Sequence, residues 1–344
     1  MIGKSAKGAG MAGGNSAAAK DVIDPEIQLF VERCSADYAK YGPFDELPVA
    51  EARRVAEEVR APWRRGGPVM RSTREMSVPF GPTNVRIRVY DPGAAEGDDS
   101  PRPALLYMHG GGWMIFSLDT HDRVMREYAA RSGLLVIGID YALSPEAKFP
   151  TALQQVATVA RWLLAGQGAA LGVDPKRVVL GGDSAGGNLA MGAGLMLRDE
   201  GGRQDRGSGV AGLLLNYAAF EPDCSDEAAR RYGGDGFMLS RPEIRRFWAH
   251  YVRTPADEQD PLACLMKADV SGLPPVLLTI AGCDVLEEQN LLMAHRLARA
   301  GVQVTSRVYP GATHSFLEAV AVSQLSQRAL QEGADWLRTR TQVA

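Results

Sequence analysis

Residues 177–188 read RVVLGGDSAGGN. The stretch opens as an apolar run of strand length, turns through glycines, and continues from Ala185 into a segment of helical pattern. Its centre, Gly182-Asp183-Ser184-Ala185-Gly186, is a GxSxG. A strand that meets a helix through so tight a turn presents the central serine outward. A Cβ on either flank would collide with neighbouring main chain, which Gly182 and Gly186 avoid. An ordinary strand-to-helix turn with Ser184 as the N-cap would need neither glycine. The rest of the chain decides between the two.

Outward from this turn, strands and helices alternate. VRIRVYDP (85–92) alternates like a half-exposed strand, and VTSRVYPG (304–311) is a polar last strand. Between them ALLYMHG (104–110), LLVIGIDY (134–141), AGLLLNYA (211–218) and PVLLTIAG (275–282) are continuous apolar runs of strand length. Amphipathic segments fall at 120–132, 151–165, 185–199, 287–300 and 324–339. This spacing predicts right-handed βαβ units, hence an α/β fold around a mostly parallel sheet with helices on both faces.

Two regions break the alternation. PEIQLFVERCSADYAK (25–40) and LPVAEARRVAEEVR (47–60) are helical, and so is much of 220–270, including RPEIRRFWAHYVR (241–253). In α/β sheets ligands bind at the carboxyl ends of the strands, where such insertions emerge, so both regions read as a helical cap. The expected organisation is a disordered tail over 1–20, an N-terminal cap segment over 21–75, and an α/β domain over 76–344 with a cap insertion around 220–270.

A serine hydroxyl is a poor nucleophile without a base in reach. In a site of this kind the partners follow in the order Ser, acid, His, which removes His109 and His121. His250 and His295 fall in helical segments. His314, in YPGATHSF (309–316), lies in loop-type sequence that can present its ring to Ser184. The acid is expected at a strand's carboxyl end, and Asp284 in LLTIAGCDVLEE (277–288) stands there. It would accept a hydrogen bond from the proton-bearing nitrogen of His314. Glu287 and Glu288, at the head of the next helix where carboxylates offset the helix dipole, are the fallback.

YMHGGGWMIF (107–116) supplies the remaining part. Three consecutive glycines after a buried strand give up much backbone freedom. Main-chain N–H groups that line a cavity, aimed at an oxygen on which negative charge grows, account for them. His109-Gly110-Gly111-Gly112 and the N–H of Ala185 would form such an oxyanion hole, with His109 bracing the loop rather than reacting.

Composition narrows the partners. The 344 residues are 45% apolar and 23% charged, enough to bury a large core. A net charge of −3 without a dense Lys/Arg stretch gives no footprint for nucleic acid or an anionic membrane surface. No run of about 18 apolar residues would span a bilayer. Residues 1–20 lack the apolar run of a secretory signal. Cys34, Cys224, Cys264 and Cys283 show no CxxC spacing and the five histidines no HxxxH. No metal site and reduced thiols in a cytoplasmic protein are therefore expected.

HGGGW (109–113), GDSAGGN (182–188), GIDYALSPEAKFPTAL (138–153), Asp284 and YPGATHSF together resemble the hormone-sensitive-lipase-like (family IV) carboxylesterases of the α/β-hydrolase superfamily. Within them the chain looks most like bacterial acetyl esterases, notably in SLDTHDRVMREYA (117–129) and YALSPEAKFP. The similarity runs from about residue 85 to the C-terminus and is looser before it. It implies the α/β-hydrolase fold, hydrolysis of short-chain acyl esters of small molecules, and no cofactor. It also implies that Gly111 and Gly112 are the loop donors of the oxyanion hole, and that a homodimer forms through the last strand and helix. Two departures touch the pocket. Trp113 follows HGGG where Phe is frequent, and Val285-Leu286 and Ser315-Phe316 replace Pro-Leu and Gly-Phe. Trp113 and Phe316 are accordingly expected to touch substrate. An amide or lactone hydrolase on the same groups is the nearest alternative. A scaffold that has lost its chemistry and binds a small ligand is another, against which the intact Ser184, Asp284, His314 and glycines argue. A lipase acting at a lipid surface would want a long exposed apolar helix, absent from this sequence.

Overall fold

A computed structural model describes residues 22–93, 100–201 and 209–342; the 1–20 segment read as a tail lies outside them. Eight strands form one sheet: β1 (Ser72–Phe80), β2 (Thr83–Asp91), β3 (Arg102–Met108), β4 (Leu135–Asp140), β5 (Val173–Asp183), β6 (Gly212–Asn216), β7 (Val276–Cys283) and β8 (Val304–Thr313). Their spatial order is β1-β2-β4-β3-β5-β6-β7-β8. The β1–β2 and β2–β4 pairings are antiparallel, and all others are parallel. The continuous apolar runs became the central strands β3, β4 and β6, buried almost throughout, as a sheet covered on both faces requires.

Strand β1 carries no such signal. STREMSVPF buries only Val78 and includes a proline, and it is fixed instead by its hairpin with β2, where Glu75 pairs with Arg86 and Arg88. The sequence reading starts strands only at residue 85, and its boundary between cap segment and α/β domain, at 75 and 76, falls inside this strand.

Four helices cross between parallel or neighbouring strands, α3 (Asp122–Ser132), α4 (Thr151–Leu164), α5 (Ala185–Glu200) and α8 (Glu287–Arg299), and α9 (Gln324–Thr341) follows the last strand. Each matches an expected segment to within about two residues, the usual uncertainty of helix ends. Four of them pack in pairs, α3 against α9 and α4 against α5, while α8 lies on β7 and β8.

The remaining helices are α1 (Pro25–Tyr38) and α2 (Val49–Arg60) before the sheet, and α6 (Asp226–Tyr232) and α7 (Arg241–Tyr251) between β6 and β7. Asp24 caps α1 by accepting from the N–H of Glu26 and Ile27, and its own N–H donates to the Gly311 carbonyl at 3.0 Å, tying α1 to β8. The buried face of α1 (Ile27, Phe30, Val31, Cys34) merges with the main core. Arg53 of α2 donates to the carbonyls of Met114 and Ser144, each at 2.8 Å. Arg246 of α7 donates to the carbonyls of Phe44 and Leu47 at 2.6 and 2.7 Å, so the two helical regions are fastened to each other. Both line one cavity with the turn that follows β5.

Candidate active site

Ser184 closes that turn with φ 54° and ψ −120°, a left-handed region that side chains avoid. Crowding fixes the flanks. A Cβ on Gly182 would stand 2.5 Å from the Met108 carbonyl oxygen, and one on Gly186 would overlap the same atom. Ser184 makes no capping hydrogen bond to α5. Its Oγ lies 2.9 Å from Nε2 of His314, and Nδ1 of His314 lies 2.7 Å from Oδ2 of Asp284. A proton on Nδ1, donated to the carboxylate, leaves the Nε2 lone pair facing the serine hydroxyl.

His314 follows β8 and Asp284 follows β7, so with Ser184 after β5 the three side chains meet at the carboxyl ends of parallel strands, each less than a tenth exposed. The other Asp284 oxygen accepts from the N–H of Leu286 at 3.0 Å. It is this carboxylate, and not Glu287 or Glu288 at the head of α8, that bonds the imidazole. The Tyr217 ring stands edge-on to the imidazole, 5.1 Å between centroids.

Behind the serine, Asp183 holds the glycine loop. One of its oxygens accepts from the Gly110 N–H (3.1 Å) and the Tyr107 hydroxyl (2.8 Å), and the other from Nε2 of His121 (3.2 Å). Thr120 donates its single hydroxyl proton to the Ser117 carbonyl and therefore accepts from Nδ1 of His121. Both His121 nitrogens then carry protons, and the buried contact is an imidazolium–carboxylate pair. Burial disfavours charge on each partner. The Asp183 carboxylate outweighs it and raises the His121 pKa, while His121 and Tyr107 bring Asp183 below the usual carboxylate value. His109 is neutral: burial first, then the His121 charge, push it down to about 3. It bonds the Gly110 carbonyl through Nδ1 (2.7 Å) and stacks on Tyr141, whose hydroxyl donates to the His109 carbonyl.

Gly111 and Gly112 have φ of 107° and 57°. A Cβ on Gly111 would run into the Ile115 carbonyl, and the place of a Cβ on Gly112 is taken by the Phe247 ring. Both glycines line the cavity with Ala185, and among the described residues no acceptor takes the N–H of any of the three. The same few residues concentrate unusual backbone. Trp113, Phe116, Ser184, Tyr217 and Ser315 all have positive φ between 34° and 69°.

The cavity is about 300 Å³, at the small end for ligand sites. Its walls are aromatic: Trp113, Phe116, Phe237, Phe247 and Trp248. Trp113 is stacked on Tyr251 with centroids 4.0 Å apart and is nearly fully buried. Phe316 does not reach the cavity. The left-handed turn at Ser315 sends it into the core against Tyr217 and Tyr309, and Ser315 lines the wall in its place.

Sequence reasoning passed over Tyr107 and His121, because their partner Asp183 is 76 and 62 residues away and no local pattern links them. It also missed Phe247 and Arg60, whose places in the wall come from packing alone. Among the described residues no three His, Cys, Asp or Glu side chains converge as a metal site would need, and no helix is long and apolar enough to cross a membrane.

Residues 105–318 match a family described by the α/β-hydrolase fold. Over 316 residues the chain is 32% identical to an ethyl acetate hydrolase of Pseudomonas putida, covering 90% of this chain and 96% of that one. A hyperthermophilic esterase from the archaeon Pyrobaculum calidifontis superimposes with a TM-score of 0.84 at 29% identity, over 92% of this chain and 98% of its own. A thermostable esterase of Pseudomonas putida gives 0.84 at 26% identity, over 94% and 99%. The chain thus belongs to the α/β-hydrolase-fold family, among its hormone-sensitive-lipase-like (family IV) carboxylic ester hydrolases.

Proposed function

We propose that the protein is a serine carboxylesterase for short-chain acyl esters of small molecules, working through an acyl-enzyme. The observation that carries this reading is the relay Ser184–His314–Asp284, at 2.9 and 2.7 Å, whose Ser184 and His314 line a small aromatic-walled cavity. As Ser184 Oγ bonds to the ester carbonyl carbon, Nε2 of His314 takes the hydroxyl proton and the carbonyl π pair moves onto oxygen. The N–H groups of Gly111, Gly112 and Ala185 stabilise that oxyanion, each donor being worth about 10²–10³ in kcat. When the tetrahedral centre collapses, the bond to the alcohol oxygen breaks and His314 returns its proton to that oxygen. Water then repeats the sequence, giving its proton to His314 and its oxygen to the acyl carbon, and Ser184 leaves with the proton. Asp284 keeps the Nδ1 proton hydrogen-bonded and stabilises the imidazolium without itself being protonated.

Helices α1, α2, α6 and α7 are read as the cap that closes the acyl site, and the aromatic walls bound its length. Similarity to an ethyl acetate hydrolase favours small acyl groups. Treatment with a fluorophosphonate probe tests the assignment. Wild type should label and Ser184→Ala should be folded, inactive and unlabelled; labelling that persists in the variant overturns it. Faster cleavage of p-nitroacetanilide than of p-nitrophenyl acetate would move the reading to an amidase.

A further inference from the structure

Two charged side chains of the cavity wall take no part in this chemistry: Glu243, which accepts from the N–H of Ser240 at the head of α7, and Arg60. Arg60, the last residue of α2, lines the cavity although it is only 3% exposed. Its guanidinium carbon lies 5.1 Å from the ring centroids of both Phe30 and Phe116. The guanidinium offers five N–H donors and no acceptor. Nη1 reaches only the sulfur of Cys34 at 3.5 Å, a weak acceptor. Glu318, equally buried, approaches Nε at 3.5 Å, yet neither Nε nor either Glu318 oxygen makes a hydrogen bond. The pair balances charge without satisfying donors. Nε, sealed from solvent, is left to the Glu318 charge alone, so the donors that can meet a ligand in the cavity are those of the Nη nitrogens.

We propose that Arg60 is a polar subsite of the cavity, donating to an uncharged oxygen acceptor that the substrate carries away from the scissile bond: a keto, alkoxy or second ester carbonyl oxygen. The inference rests on the esterase reading and narrows its substrate class to small oxygen-bearing esters. The ligand group must be an acceptor, because a guanidinium offers donors only. It must be uncharged, because Glu318 already neutralises Arg60 and a carboxylate would set a second anion beside the first in a low-dielectric site. The planar fork, buried and packed near two rings, is pre-oriented, so little rotamer freedom is lost on binding.

The test compares matched esters that differ by one oxygen, placed on either side of the scissile bond. On the acyl side these are p-nitrophenyl 4-oxopentanoate and p-nitrophenyl 4-methylpentanoate; on the alcohol side, acetonyl butyrate and isobutyl butyrate. Within each enzyme the ratio of kcat/KM for the oxo ester to its methyl partner is taken, so overall changes in activity cancel. Comparing enzymes then cancels intrinsic reactivity. The ratio in wild type should exceed that in Arg60→Met by about 10–100-fold for one of the two pairs, the worth of a charge-assisted hydrogen bond. The single variant leaves Glu318 buried without its counter-charge. Arg60→Met/Glu318→Leu replaces the pair with apolar groups, a change often neutral or stabilising, and should show the same collapsed ratio. Equal ratios in wild type and the double variant for both pairs overturn the proposal. Absence of turnover on plain p-nitrophenyl butyrate by wild type would instead defeat the esterase reading beneath it.

Discussion

Replacing Gly112 by alanine tests the oxyanion loop through a contact that is specific to this structure. The new methyl would fall inside the Phe247 ring, against Cγ, Cδ1 and Cδ2, at a residue whose φ is 57°. The left-handed backbone costs a non-glycine residue roughly 1–2 kcal/mol, and the overpacking about 1–3 kcal/mol more. Phe247 packs against the cluster of Ala52, Ala56, Met114, Ile115 and Phe116, so part of the clash is expected to be relieved by the glycine loop itself. That turns the Gly112 N–H away from the cavity. Losing one donor should lower kcat by about 10²–10³ while KM changes little, since the contact strengthens only in the transition state. Phe247→Ala removes the obstacle. The double variant Gly112→Ala/Phe247→Ala should therefore regain at least about tenfold in kcat over Gly112→Ala, a coupling that distant sites do not show. Its backbone penalty should persist as lowered stability in urea unfolding. The measurements are kcat and KM on p-nitrophenyl butyrate for wild type, both single variants and the double. An unchanged kcat in Gly112→Ala would refute the donor role, and a double variant no faster than Gly112→Ala would refute transmission through the ring.

Asp284→Asn should lower kcat by around 10⁴, because an amide can support the wrong tautomer of His314, whereas Glu287→Gln and Glu288→Gln should stay near wild type in the same assay. The His121–Asp183 pair predicts a pH window for stability. His121, raised, contributes fully below the ordinary histidine value of about 6.5 and less as pH climbs through its folded value; Asp183, lowered, contributes fully above about 4 and less as pH falls through its own. Urea unfolding should therefore show wild type losing stability from pH 6.5 toward 9 relative to His121→Asn/Asp183→Asn, and parallel curves would contradict the charged pair. Among p-nitrophenyl esters below their micelle concentration, kcat/KM should rise about fourfold per methylene while the roughly 300 Å³ cavity fills, peak at about two to six carbons, and fall by about ten; a maximum at long chains would contradict a pocket bounded by its aromatic walls.

What the sequence disclosed depended on whether the information was local. The central strands were legible because burial on both faces demands unbroken apolar runs, as in LLVIGID of β4 and its approach. Gly182 and Gly186 were legible for a similar reason, since only the absence of a side chain tolerates the Met108 carbonyl at that distance. Ser184, Asp284 and His314 could be picked out by chain order and by their positions after strands. The hairpin strand β1 escaped because cross-strand ion pairs, rather than a hydrophobic pattern, hold it. Phe316 was assigned to the pocket from its place beside His314, and a single left-handed residue, Ser315, turned it away. Arg60 and Phe247 come from two helices about 190 residues apart, and only their packing over the sheet brings both to one wall.

The clustering of left-handed residues at 113, 116, 184, 217 and 315 bears on how this protein fails when heated. Each such residue holds of order 1–3 kcal/mol that the surrounding packing must restrain, against a total stability of roughly 5–15 kcal/mol for a domain. The sheet carries no comparable burden. Heat should therefore relax the pocket while the strands remain paired, and inactivation should run ahead of melting. Selection for heat tolerance would readily accept glycine at 315, easing the backbone there, and would loosen the ring of His314 in doing so. Endurance and turnover draw on the same five residues, and variants that gain one are expected to surrender part of the other.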